Sequence, residues 1–134
     1  MIGDEAAVAQ VSANGHVLML VAAPPGSTGV RAHIDVTETA QPIPDDQLAA
    51  YLQNAGQNGA ASITRPQSFA TGGATGLYVT YTLGGPGGVQ LKEQDMAVNH
   101  AGITYNIVLN APQTDFAAEL VALKTVLDAW TWTA

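Results

Sequence analysis

Three stretches of this chain alternate apolar and polar residues with a period of two. Val30, Ala32, Ile34 and Val36 alternate with Arg31, His33, Asp35 and Thr37. Leu77, Val79, Tyr81 and Leu83 alternate with Tyr78, Thr80 and Thr82. Ile103, Tyr105, Ile107 and Leu109 alternate with Thr104, Asn106, Val108 and Asn110. Successive strand side chains point to opposite faces, so each stretch is a strand with one face toward a core. Glycine and proline punctuate the gaps, at residues 24–29, 71–74, 84–88 and 99–102. Gaps this short join antiparallel neighbours, because a parallel crossover needs a dozen residues or more.

Further strands fill in around these. Residues 6–12 and 16–22 flank Ala13-Asn14-Gly15, and Asn-Gly is the strongest short hairpin signal. Residues 62–69 form a weaker strand interrupted by Pro66, which places it at an edge or a bulge. Residues 89–98 change phase, with Val89 and Leu91 on odd positions and Met96 and Val98 on even ones. A bulge near residues 93–95 is the expected cause.

Two helices complete the chain. Pro42, Pro44 and the acidic pair Asp45-Asp46 announce the first, and Leu48, Tyr51, Leu52 and Ala55 form its apolar stripe before glycines at 56 and 59. Pro112 precedes the second, with Thr114 or Asp115 as its cap and Glu119 in its first turns. Its stripe of Phe116, Leu120, Leu123, Leu127 and Trp130 must lie on the sheet, and Trp132 falls off that stripe. The order β-β-β-α-β-β-β-β-α predicts an α+β domain with a mainly antiparallel sheet of about six to seven strands. Its 134 residues form a single domain, 1–134, without repeats.

Composition narrows the partners. The chain has 4 Lys+Arg against 11 Asp+Glu, a net charge of −7. Four cations cannot neutralise many phosphates, which excludes nucleic acid as a partner. They cannot hold anionic lipid heads either. What remains is a protein, a cation or a neutral small ligand. The charged fraction of 11% is less than half of the roughly 25% usual in soluble domains, so the surface relies on uncharged polar groups. The absence of cysteine removes disulfides, thiolate catalysis and cysteine-held zinc. The longest apolar run, Val17 to Ala23, is far short of the ~20 residues of a membrane span. Asp4 and Glu5 precede it where a signal peptide needs positive charge, so it is a strand.

No catalytic signature is present. His16, His33 and His100 show no metal-ligand spacing, and His33 with Asp35 on one strand face is half a metal site at best. Ser27 lies in Pro25-Gly26-Ser27-Thr28-Gly29, where proline replaces the first glycine of a nucleophile elbow. The glycines at 84, 85, 87 and 88 lack the Lys-Ser/Thr of a phosphate loop and read as a hairpin tip. Glu93, Asp95, Asp35 and Glu38 are the densest acidic groups, and the expected role of such groups is a solvated strand face. Tyr78, with Thr80 and Thr82, points away from the core tyrosines and is expected to line a groove between sheet and helix. These three residues with His33 and Asp35 are the ligand-groove candidates; no catalytic residue, metal ligand or cofactor is assigned.

Four stretches together resemble the PsbP-like fold, whose members include the PsbP group, the Ran-binding Mog group and actinobacterial lipoproteins of LpqN/LpqT type. They are the strand of residues 30–36 followed by Leu48-Ala49-Ala50-Tyr51-Leu52, the strand Gly76-Leu77-Tyr78-Val79-Thr80-Tyr81-Thr82, the hairpin of residues 94–109, and the terminal helix of residues 116–132. The resemblance implies an α/β/α sandwich and an accessory or binding role, non-enzymatic and of the bacterial cell envelope; the expected state is a monomer or homodimer. The lipidated cysteine that opens LpqN-like lipoproteins has no counterpart in these residues. The alternatives are a small α+β enzyme drawing a His/Asp dyad from His33, Asp35 or His100, and an acidic cytoplasmic adaptor or immunity-type protein whose charge meets a basic partner.

Overall fold

The computed structural model describes residues 7–9, 17–22, 32–55 and 60–130, the first two segments in backbone only. The expectations for His16, Ser27, the Asn14-Gly15 turn, the glycines at 56 and 59 and Trp132 lie outside the described residues. The elements are β1 (Ala7–Ala9), β2 (Val17–Ala22), β3 (His33–Glu38), α1 (Leu48–Ala55, entered through a short 3-10 turn), β4 (Gln67–Thr71), β5 (Ala74–Gly84), β6 (Gln90–His100), β7 (Ile103–Pro112) and α2 (Phe116–Asp128). The fold is α+β, with one open antiparallel sheet and two helices.

The body of the sheet is five strands, in the spatial order β3-β7-β6-β5-β4, where the alternation predicts six to seven. β1 and β2 extend it beyond β3 by backbone pairing. Every described pairing is antiparallel. Two-residue turns explain the tight joins. Gly72 and Gly73 close β4 onto β5, and Ala101 and Gly102 close β6 onto β7, all four with positive φ as a type I′ turn requires.

The bulge expected at residues 93–95 is absent: β6 stays in unbroken register with β5 from Gly76↔Val98 to Gly84↔Gln90, and equally with β7. The phase change has another cause. β6 is covered on both faces, so its even positions Met96 and Val98 enter one core while its odd positions Glu93 and Asp95 face the other side. The strand expected over residues 62–69 begins only after Pro66, and β4 is the sheet's edge.

Each helix buries one stripe on its own face of the sheet. α2 lays Phe116, Leu123 and Leu127 on Ile34, Val36, Met96, Val98, Ile107 and Leu109, with Leu120 and Trp130 at the margin. α1 lays Leu48 and Leu52 on Val79, Tyr81 and Ala97 of the opposite face. The two helices cover different parts of the sheet: α1 lies over β5 and β6, whereas α2 rests mainly on β7 and reaches β4 with its last turn. There the Thr71 hydroxyl donates to the Leu127 carbonyl at 2.7 Å. Asp115 holds the N-cap position of α2, but no side-chain cap bond forms. Each face is therefore left partly uncovered by helix among the described residues, on opposite sides of the sheet.

Candidate functional site

On the α2 face, the uncovered part is a cleft of about 470 Å³ between α2 and the β4–β6 end of the sheet. Phe69, Tyr78 and Met96 form its floor, and Leu120, Val121 and Leu127 its helical wall. Gly76 shapes the floor, because the Phe69 ring packs within 2.9 Å of the place a β-carbon on residue 76 would take. Phe69 and Tyr78 meet edge to face at 6.4 Å between ring centres. Val121 is 68% exposed, the only strongly exposed large apolar side chain among the described residues. Ser68 and the Lys124–Asp128 pair, whose charges are 3.4 Å apart, sit at the rim, and the buried Gln94 stands beside Met96, its amide 3.8 Å from the sulfur. An apolar floor with a few polar groups at its edge is the usual constitution of a ligand site.

The opposite face carries a polar network beside α1, on β3, β7, β6 and β5. His33 and Asp35 on β3 are joined, Nδ1 to Oδ1, at 3.2 Å. Their side chains are 35% and 36% exposed. The register sets His33 opposite Asn110 on β7, which lies opposite Glu93 on β6; Asp35, Val108 and Asp95 form the adjacent row. Asn110 donates to Glu93, and Asn106 donates to Asp95 at 2.6 Å. The Tyr81 hydroxyl stands 2.8 Å from Glu93 Oε1 and 3.4 Å from Asp95 Oδ2. Asp95 is 3% exposed, so this is not the solvated acidic face that composition predicts. Burial, and then the charge of Glu93, push the Asp95 carboxyl up to about 6 against the pull of Asn106 and Tyr81. Burial, with these two carboxylates beside it, holds the Tyr81 hydroxyl far above its usual range. The hydrogen bond that His33 donates to the Asp35 carboxylate raises the imidazole, opposed by partial burial.

The five groove candidates therefore divide between the two faces. Tyr78 lines the cleft and donates to Gln67 at 3.1 Å. Thr80 and Thr82 bind the segment beside β5: the Thr80 amide donates to Thr64 Oγ1 at 2.9 Å, and the Thr82 hydroxyl to the Ala61 carbonyl at 3.2 Å. His33 and Asp35 lie across the sheet from all three. His100 ends β6, seven residues from Glu93 and so about 23 Å along the strand, too far to join the His33–Asp35 pair. Lys92 turns to the α2 face, over the Phe116 ring at 5.0 Å. No cluster of three His, Cys, Asp or Glu positioned for a metal occurs among the described residues. No helix among them is long and apolar enough to cross a membrane.

Sequence reasoning missed Phe69, Met96 and Val121 as cleft residues. Val121 carried a signal, an apolar residue off the helix stripe. It also missed Asn106 and Asn110, which only the register of β6 on β7 brings to the carboxylates.

No known family profile matches the chain, and no curated protein sequence does. Solved structures that share its fold include two of low sequence identity. One is PA94, a protein of unknown function from Pseudomonas aeruginosa and a candidate regulator, with a TM-score of 0.73 and 12% identity over 96% of this chain and 98% of that one. The other is LpqN of Mycobacterium tuberculosis, involved in cell envelope biogenesis, with a TM-score of 0.68 and 14% identity over 100% of this chain and 82% of that one.

Proposed function

We propose that this chain is a non-catalytic accessory module of the bacterial cell envelope, of the PsbP-like superfamily, that binds a neutral, partly apolar group in the cleft beneath α2. The observation that carries this reading is the cleft itself: Val121 stands open beside Phe69, Tyr78, Met96 and Leu120. Apolar surface of this kind is stabilised by covering it, at about 25 cal/mol per Å². The fold shared with LpqN supports the envelope setting. The low charge of the rim suits a neutral ligand, whether a small molecule or a side chain of a protein partner.

Titration with the neutral apolar fluorophore N-phenyl-1-naphthylamine tests the cleft. Saturable enhancement that Val121→Asp abolishes supports the reading. Absence of enhancement, or enhancement that Val121→Asp leaves intact, overturns it. A second reading, acid–base catalysis, draws on the His33–Asp35 pair at 3.2 Å. It requires a turnover that His33→Gln removes while fluorophore binding persists.

A further inference from the structure

We infer that Asp95 and Glu93 share a single proton through the Tyr81 hydroxyl, and that this proton holds α1 closed over the sheet. The geometry begins with four carboxyl oxygens and three side-chain donors. Asn106 Nδ2 supplies Asp95 Oδ1 at 2.6 Å, and Asn110 Nδ2 supplies Glu93 Oε2. The remaining two, Glu93 Oε1 and Asp95 Oδ2, both face the Tyr81 oxygen, at 2.8 and 3.4 Å. A hydroxyl has one proton to give, and the shorter contact takes it. With Asp95 ionised, Oδ2 then faces a lone pair inside the fold. With Asp95 protonated, Oδ2 donates to Tyr81, which donates to Glu93, and every oxygen in the chain is satisfied.

The surroundings favour the protonated form. β5 contributes Tyr81, β6 contributes Glu93, and β7 contributes the neutral Asn106 and Asn110. α1 contributes Tyr51, its hydroxyl raised by burial and by Asp95, and no charged residue. β3 contributes Asp35 and His33, already engaged with each other. Burial and Glu93 act together to raise Asp95 to about 6.

α1 is the element that responds. Leu48 and Leu52 rest on Val79, Tyr81 and Ala97, which flank Asp95, so this helix excludes water from the carboxyl. Ionising Asp95 places a desolvated charge beneath α1, and admitting water by lifting the helix relieves it. Mild acid seats the lid, and neutral pH loosens it. No ligand is required, so this inference stands whether or not the cleft binds.

Hydrogen exchange, corrected for intrinsic chemical rates, reads the lid directly. Protection of the α1 amides should fall roughly 30-fold between about pH 4.5 and about pH 7.5, the share in that range of a total near 100-fold for two pKa units. Protection of α2 should stay level. Asp95→Asn keeps a neutral donor for Tyr81 and should flatten the α1 profile to under ~3-fold. In the wild-type protein, the infrared carbonyl band of a protonated carboxyl should titrate near pH 6 and be lost in Asp95→Asn. Asp95 titrating in the ordinary carboxylate range overturns the shared proton. A level α1 profile in the wild type, or α2 following α1, overturns the lid. Should Asp95→Asn not fold, the wild-type carbonyl titration and the two helices' profiles still decide.

Discussion

Gly76→Ala tests the floor of the cleft and the packing of the sheet together. A β-carbon at residue 76 would stand 2.2 Å from the Ala97 carbonyl oxygen and 2.9 Å from both Phe69 Cε1 and Val98 Cβ. The Phe69 ring can swing aside, but Ala97 is backbone of the neighbouring strand, so β5 must shift on β6. Such overpacking costs about 1–3 kcal/mol. Replacing glycine returns about 0.4–1 kcal/mol by reducing the freedom of the unfolded chain. The expected net loss is about 1–2 kcal/mol, or roughly 3–8 °C in Tm for a chain of this length. Gly84, in the same strand, is the matched control, because a β-carbon there meets nothing within 4 Å. Urea unfolding of the two variants measures the difference, with Gly84→Ala within about 0.5 kcal/mol of wild type. Displacing Phe69 should also weaken binding of the apolar fluorophore. If Gly76→Ala equals Gly84→Ala in stability, the close approach of β5 to β6 is refuted.

The remaining expectations concern single side chains. Asp95 binds its proton more tightly folded than unfolded, so the native state holds more protons between about pH 4 and about pH 6 and stability declines as pH rises through that window, by at most ~3 kcal/mol. The His33–Asp35 pair acts in the same direction, its contribution present while the imidazole is protonated and lost above the usual histidine range; urea titrations across pH check both. Leu123→Ala, at a site with no exposure, should cost about 2–5 kcal/mol by the same measurement. Thr71→Val removes the bond to the Leu127 carbonyl and should cost about 1 kcal/mol, with faster hydrogen exchange in the last turn of α2. Val121→Asp should change stability by less than about 0.5 kcal/mol, since nothing covers that side chain.

The alternation that makes β5 and β7 legible comes from apolar residues keeping to one phase of each strand, even though Thr104 and Asn110 on the polar phase of β7 are buried too, and the α2 stripe is as plain because a single face is buried. β6 misleads for the opposite reason. Both its faces are covered, and Glu93 and Asp95 take inward positions that hydrophobicity assigns to solvent. β4 begins later than expected because Pro66 stands just ahead of its first paired residue. The candidate site is less legible still. Tyr78 is readable as a groove residue from its phase. That Thr80 and Thr82 are engaged by residues 61–64, and that His33 and Asp35 lie on the other face, follows from strand order and register, which no single strand's pattern encodes.

Amide and methyl chemical-shift mapping with N-phenyl-1-naphthylamine tests the central claim most directly. If the cleft beneath α2 is the binding site, perturbations gather on Phe69, Tyr78, Met96, Leu120 and Val121. Perturbations gathered instead on His33, Asp35, Asn106 and Asn110 would place binding on the other face of the sheet and contradict the claim.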